Sequence, residues 1–141
     1  MNAPLYTTEI LRLAASLPGP ERLERVDGTA EERSPTCGSA IKLEVQLDEE
    51  GRVQALTQRV HACAFGQASA ALVAGGALGR SREEVERGLD EVAAWLAGSR
   101  GDPGGWPGLS ALQPALPRRS RHGAILLPFR ALLAAMERSR G

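Results

Sequence analysis

From Ala40 to Asp48 the chain alternates without a break: Ile41, Leu43, Val45 and Leu47 are apolar, while Lys42, Glu44, Gln46 and Asp48 are polar or charged. A period of two puts one set on each face of a strand, so this segment reads as a half-buried β-strand. Asp48-Glu49-Glu50-Gly51 then offers turn chemistry, with Gly51 suited to positive φ. Arg52 to Ala62 returns as the second arm of a hairpin, with Val53, Leu56 and Val60 as its apolar members. That arm alternates less cleanly, which is the pattern a β-bulge produces. A hairpin with one apolar face must bury that face against something. The rest of the chain supplies helices.

Ile10, Leu13, Ala14 and Leu17 have helical spacing, with Thr7 or Thr8 available as N-cap and Pro18-Gly19-Pro20 as terminator. Arg22 to Thr29 is charged and ambiguous, and reads as a short strand. Phe65 to Leu78 is alanine-rich and reads as a buried helix, with Gly75-Gly76 weakening its last turn. Ser81-Arg82-Glu83-Glu84 is a capping box, and behind it Val85, Leu89, Val92 and Leu96 form one stripe of an amphipathic helix ending at Gly98. Gly101 to Gly108 is a loop by composition. A last helix is expected from about Ala124 to Arg138, with Pro128 tolerated because it falls in the opening turn. The expected class is α+β: a small antiparallel sheet with helices packed on one face, in one domain spanning 1–141.

Composition narrows the function classes. Hydrophobic residues make up 43% and charged residues 24% of the 141, which suits a packed globular chain. Seventeen basic residues offset seventeen acidic ones, so bulk charge argues for neither nucleic acid nor a membrane as partner. No apolar run approaches the roughly 20 residues that cross a bilayer. Met1 to Leu17 lacks the basic and apolar regions of a secretory signal. With two cysteines, Cys37 and Cys63, a disulfide framework is not indicated, and a cytoplasmic location is expected.

Three places combine metal-capable side chains with element ends: Ser34-Pro35-Thr36-Cys37-Gly38-Ser39 before the clean strand, His61-Ala62-Cys63 between hairpin and helix, and Arg121-His122-Gly123 before the last helix. A thiol at a helix start meets unpaired amides and the positive end of the dipole, an environment that favours its reactive anionic form. If the strand persists, His61 and Cys63 share a face at i, i+2. Bland readings stand beside these. Two such cysteines are most often small inert hydrophobes, and a lone histidine among arginines is most often a solvated surface residue. A Cys–His nucleophilic pair also remains open, though no oxyanion-hole or orienting-acid motif accompanies it.

Pro35-Thr36-Cys37-Gly38 before a strand, Cys63 with Gly66, Ala68, Ser69 and Ala70 opening a helix, and Leu116-Pro117 ahead of His122 with Ala124-Ile125-Leu126 resemble the IscU/NifU/SufU iron–sulfur cluster assembly scaffolds. The resemblance runs from Leu5 to about Glu137, and Leu5-Tyr6 and the loop around Trp106 look more like SufU than IscU. It implies a non-enzymatic scaffold or sulfur acceptor, with a cysteine desulfurase and apo-protein acceptors as partners. It implies Cys37, Cys63 and His122 as ligands of zinc or a transient iron–sulfur cluster, converging at one end of the sheet, with His61 as an outside candidate. Two positions depart from the family pattern: Ser39 stands where the family has aspartate, and Gly123 where it has a third cysteine. Zinc or a [2Fe–2S] cluster ordinarily takes four ligands, so the resemblance also implies an alternative, a metal-poor relative acting as a binding or regulatory module. Leu116-Pro117-Arg118-Arg119-Ser120 departs from the Leu-Pro-Pro-Val-Lys stretch of the family as well.

Overall fold

The computed structural model describes residues 6–18, 21–34 and 38–138. The hairpin forms as its alternation dictates. β1 (Gly28–Arg33), β2 (Ala40–Leu47) and β3 (Val53–His61) make a three-stranded antiparallel sheet in the order β1-β2-β3. Ile41, Leu43 and Val45 are buried on one face. The turn is built as expected: the Asp48 Oδ1 accepts from the amides of Glu50 and Arg52, each at 2.9 Å, and Gly51 sits at φ 80°. The bulge is present too, since Gln46 faces Ala55 and Leu47 faces Val53, leaving Gln54 without an opposite residue.

The expected strand at Arg22–Thr29 is corrected. Only Gly28 and Thr29 of it belong to β1. The residues before them cross the outer face of the sheet, where two of their amides are taken by side chains, and the Asp27 amide donates to the Val45 carbonyl at 2.8 Å only as β1 begins. The Glu21 amide donates to the Thr57 hydroxyl at 2.9 Å, and the Arg25 amide to the Gln46 Oε1 at 3.2 Å. This strap is why Thr57 and Gln46, polar residues on the side away from the helices, are nonetheless buried.

Four helices complete the fold: α1 (Thr8–Ala15), α2 (Ala64–Ala77), α3 (Arg82–Leu96) and α4 (His122–Arg138). Thr7 caps α1 by accepting from the Ile10 amide at 3.1 Å. Ser81 and Glu84 form the reciprocal capping box of α3, and Val85, Val92 and Leu96 are buried as its stripe requires. α4 packs over β1 and β2, α2 over β3 and α4, α1 against α2, and α3 against α4. The helices therefore share one face of the sheet, as the sequence pattern implies. Among the described residues no helix is long and apolar enough to cross a membrane.

Between α3 and α4 the chain is more ordered than its composition suggests. Trp106 leaves the glycine-rich loop and is 2% exposed, its Nε1 donating to the Leu72 carbonyl at 2.9 Å. The indole fits because α2 and α3 present glycine there: a Cβ on Gly76 would stand 2.6 Å from Nε1, and one on Gly88 2.7 Å from the ring. Gly76 is thus a packing device, not only a weak last turn. A 3₁₀ segment, Leu109–Ala115, follows, burying Leu109, Leu112 and Ala115 at the three-residue period of that helix.

The last helix begins at His122, earlier than the expected Ala124, so Pro128 lies in the second turn. There it removes the amide that would have bonded the Ala124 carbonyl. Support comes from α2, where the buried Ser69 hydroxyl donates to the neighbouring Ile125 carbonyl at 2.6 Å.

Candidate functional site

The open ends of two loops and two helices meet where β3 finishes. Arg33, Ala40 and His61 form the last cross-strand row of the sheet. The β1–β2 loop that carries Cys37 closes just beyond it, with the Ser34 amide donating to the Ser39 carbonyl at 2.9 Å. Cys37 itself, with Pro35 and Thr36, lies outside the described residues. Ser39, at the family aspartate position, is 3% exposed.

Two residues past His61, Cys63 is the N-cap of α2, in extended backbone at φ −67° and ψ 174°. Its side chain makes no capping hydrogen bond, and it is a free, half-buried thiol against the edge of the core. The strand stops at His61, so the period-two argument for a shared face ends there: His61 is exposed while Cys63 is half-buried. Phe65 anchors this turn in the core, with Tyr6 set edge-on at 5.0 Å.

α4 starts against the same turn of α2. A Cβ placed on Gly66 would lie 2.6 Å from the Ala62 Cβ and 3.2 Å from the Ala124 Cβ, so the absence of a side chain at Gly66 is what lets the helix starts meet. This contact carries His122 to the Cys63 end of the molecule. His122 is half-buried, not the solvated residue that its neighbouring arginines suggest. Its Nε2 lies 2.8 Å from the Ala115 carbonyl and 3.1 Å from the Leu116 carbonyl. Both partners only accept, so Nε2 carries the proton, and in the neutral ring Nδ1 holds the lone pair. A backbone carbonyl on the far nitrogen is the usual way of fixing a ligating or proton-accepting imidazole. Gly123, at the family position of the third cysteine, follows in the first turn.

Two of the three expected residues, Cys63 and His122, are therefore at neighbouring helix starts. Among the described residues no group of three or more His, Cys, Asp or Glu side chains stands close enough to hold a metal ion. Sequence reasoning did not find the Ala115 and Leu116 carbonyls that orient His122, because main-chain acceptors leave no mark in residue identity. It named Gly66 within a motif without its steric reason.

No protein-family model matches the chain, and neither does any curated protein. Solved structures do. The N-terminal domain of a NifU-like protein from Brucella abortus superposes with a TM-score of 0.88 at 26% identity, covering 96% of this chain and 94% of its own. A putative iron–sulfur cluster assembly scaffold protein for the SUF system of Fervidobacterium islandicum matches at TM-score 0.81 and 19% identity, over 94% of this chain and 96% of that one. A hypothetical protein matches at 0.79 and 22%, over 94% and 97%. Sheet order and helix placement define an α+β domain with the fold of these NifU-like and SufU structures. The resemblance to the IscU/NifU/SufU type seen in the sequence thus extends to the fold.

Proposed function

We propose that this chain is a divergent sulfur acceptor and scaffold in iron–sulfur cluster assembly, working with a cysteine desulfurase in the cytoplasm as a single domain over 1–141. The observation that carries the reading is Cys63: a free thiol at the open end of α2, beside the start of α4, in a chain that superposes on a NifU-like domain over 96% of its length. In the transfer, the Cys63 sulfur attacks the terminal sulfur of the desulfurase persulfide. The S–S bond of that persulfide breaks, the desulfurase cysteine leaves as thiolate, and Cys63 carries the new persulfide. His122, held through Nε2, presents Nδ1 to take the Cys63 proton or to add a ligand for cargo iron. Cys37 supplies the second thiol of the family pattern, and apo-protein acceptors receive the cargo.

The test is incubation with a cysteine desulfurase and free cysteine under anaerobic conditions, with intact and peptide mass spectrometry. The expected result is a gain of one sulfur on Cys63, lost in Cys63→Ser. Adding iron is expected to give a transient visible chromophore, weakened in His122→Ala.

A second reading has its own observation. Gly123 stands at the family position of the third cysteine, and Ser39 at that of the aspartate. On that ground the chain is a binding or regulatory module that docks on the desulfurase without taking zinc, cluster or sulfur. Binding of the desulfurase with no persulfide and no colour would select it.

A further inference from the structure

Among the described residues, Arg33 and Arg59 stand at the His61 end of the sheet, and Arg118, Arg119 and Arg121 on the approach to α4. All ion pairs among the described residues use Arg25, Arg52, Arg82 or Arg100. None uses the five arginines around the site. Arg33, Arg59, Arg118 and Arg119 are exposed, and Arg121 is half-exposed.

They lie on the two elements that adjoin the Cys63 turn, the end of the sheet and the approach to α4. Arg33 ends β1 in the last row of the sheet, and Arg59 precedes His61 by two residues on the same outer face. Arg118, Arg119 and Arg121 lead into α4, whose first turn abuts that of α2 at Gly66 and Ala124. The acids closest in sequence, Glu31 and Glu32, sit on the edge strand, and Glu31 already faces Lys42 across the ladder. Glu31 and Glu32 line the same surface pocket as Arg33, Arg59 and His61, so the positive charge is densest on the α4 side, at Arg118, Arg119 and Arg121, and a guanidinium fork is matched to carboxylates.

We propose that this arginine rim is the docking surface for an acidic protein face, which must sit over Cys63 when it binds. Naming the sulfur donor as that partner rests on the function proposed above. Carboxylates fit better than a nucleic-acid backbone. The rim is discontinuous, Glu31 and Glu44 interrupt the basic residues of the outer sheet face, and the chain as a whole is neutral.

The experiment titrates isotope-labelled protein, by NMR, with a hexaglutamate peptide, a single-stranded oligonucleotide and a cysteine desulfurase. It compares native protein with Arg118→Glu/Arg119→Glu and with Arg87→Glu, an exposed control on α3. The expected result is amide shifts confined to residues 33–40, 59–67 and 118–124 with hexaglutamate, lost in the double variant and kept in the control. Desulfurase association is expected to slow about tenfold in the double variant and with rising salt. Scattered shifts, tighter binding of the oligonucleotide, or equal behaviour of the double variant and the control would overturn the proposal. Sulfur transfer to Cys63 that ignores both salt and charge reversal would also overturn it while leaving the proposed function standing. Peptide binding at the rim with no desulfurase binding would keep the acidic-partner surface and remove the sulfur-donor reading.

Discussion

The two ends of the sheet are built to different standards. At the β2–β3 turn the polar groups are matched: Arg52 meets Glu84 at 2.6 Å, Asp48 takes two turn amides, and Asp27 takes the Leu47 amide at 2.7 Å and the Arg25 side chain at 2.9 Å. The helix that begins there, α3, has a full capping box. At the other end α2 begins on a cysteine with no side-chain cap, and Arg33, Arg59, Arg118, Arg119 and Arg121 form no ion pair among the described residues. The difference lies in local matching: each satisfied cap or charge contributes about 1 kcal/mol, and the start of α2 lacks the side-chain cap that α3 has.

The largest stability change should come from closing the gap between helix starts. Gly66→Ala places a methyl group 2.6 Å from the Ala62 Cβ and 3.2 Å from the Ala124 Cβ, in a turn pinned by buried Phe65. Overpacking of this kind costs about 1–3 kcal/mol, so denaturant unfolding should show a lower midpoint with an unchanged slope. A midpoint equal to the native one would mean that α4 is free to slide, and the proposed fixed placement of His122 would fail with it.

Next come two cap substitutions with opposite signs. Ser81→Ala removes an acceptor for the Glu84 amide and should lower stability by about 1 kcal/mol. Cys63→Ser supplies an acceptor at an N-cap that lacks one and should hold or raise stability by up to about 1 kcal/mol, while removing the thiol. Thermal unfolding of the two variants beside the native protein reads both. A destabilised Cys63→Ser would show that the thiol is kept for packing, and the contrast between the two ends would collapse.

What could be read from the sequence follows the same division. The hairpin, the bulge, the Asp48–Gly51 turn and the Ser81 box are local patterns, set by residues within a few positions of one another. β1 was hidden because Gly28–Arg33 buries a single apolar side chain, Ala30. Arg22–Thr29 misled because its Arg25 amide is bound by the Gln46 side chain, and the Glu21 amide just before it by Thr57, partners far along the chain. The Trp106 loop looked unstructured because the room for the indole comes from glycines on two other helices. At the site, Cys63 and His122 were legible as motif residues. The carbonyls of Ala115 and Leu116, and the convergence of three basic segments on one end, required the fold.

The smallest expected effect is electrostatic, and it belongs to the well-matched end. The Glu84 carboxyl is lowered to about 2, chiefly by the Ser81 amide, then by the Arg52 guanidinium and the Ser81 hydroxyl. A carboxylate whose folded pKa lies below its ordinary value of 4.5 adds stability that is complete above that value. The contribution is lost as pH falls from there through about 2, when the folded state also takes the proton. Asp27 and Asp102 are lowered too, by Arg25 and by the Gly104 amide respectively, so the native protein has several such groups. Glu84→Gln isolates one of them, because the amide oxygen can still accept from Ser81 while the charge opposite Arg52 is gone. The native protein should therefore exceed Glu84→Gln in melting temperature by a constant small margin above pH 5. That margin should shrink as pH falls towards 2. Because the pair is solvent-exposed, 1 M salt should narrow it at every pH. A margin independent of both pH and salt would assign the role of Glu84 to hydrogen bonding alone and remove electrostatics from the account of this end.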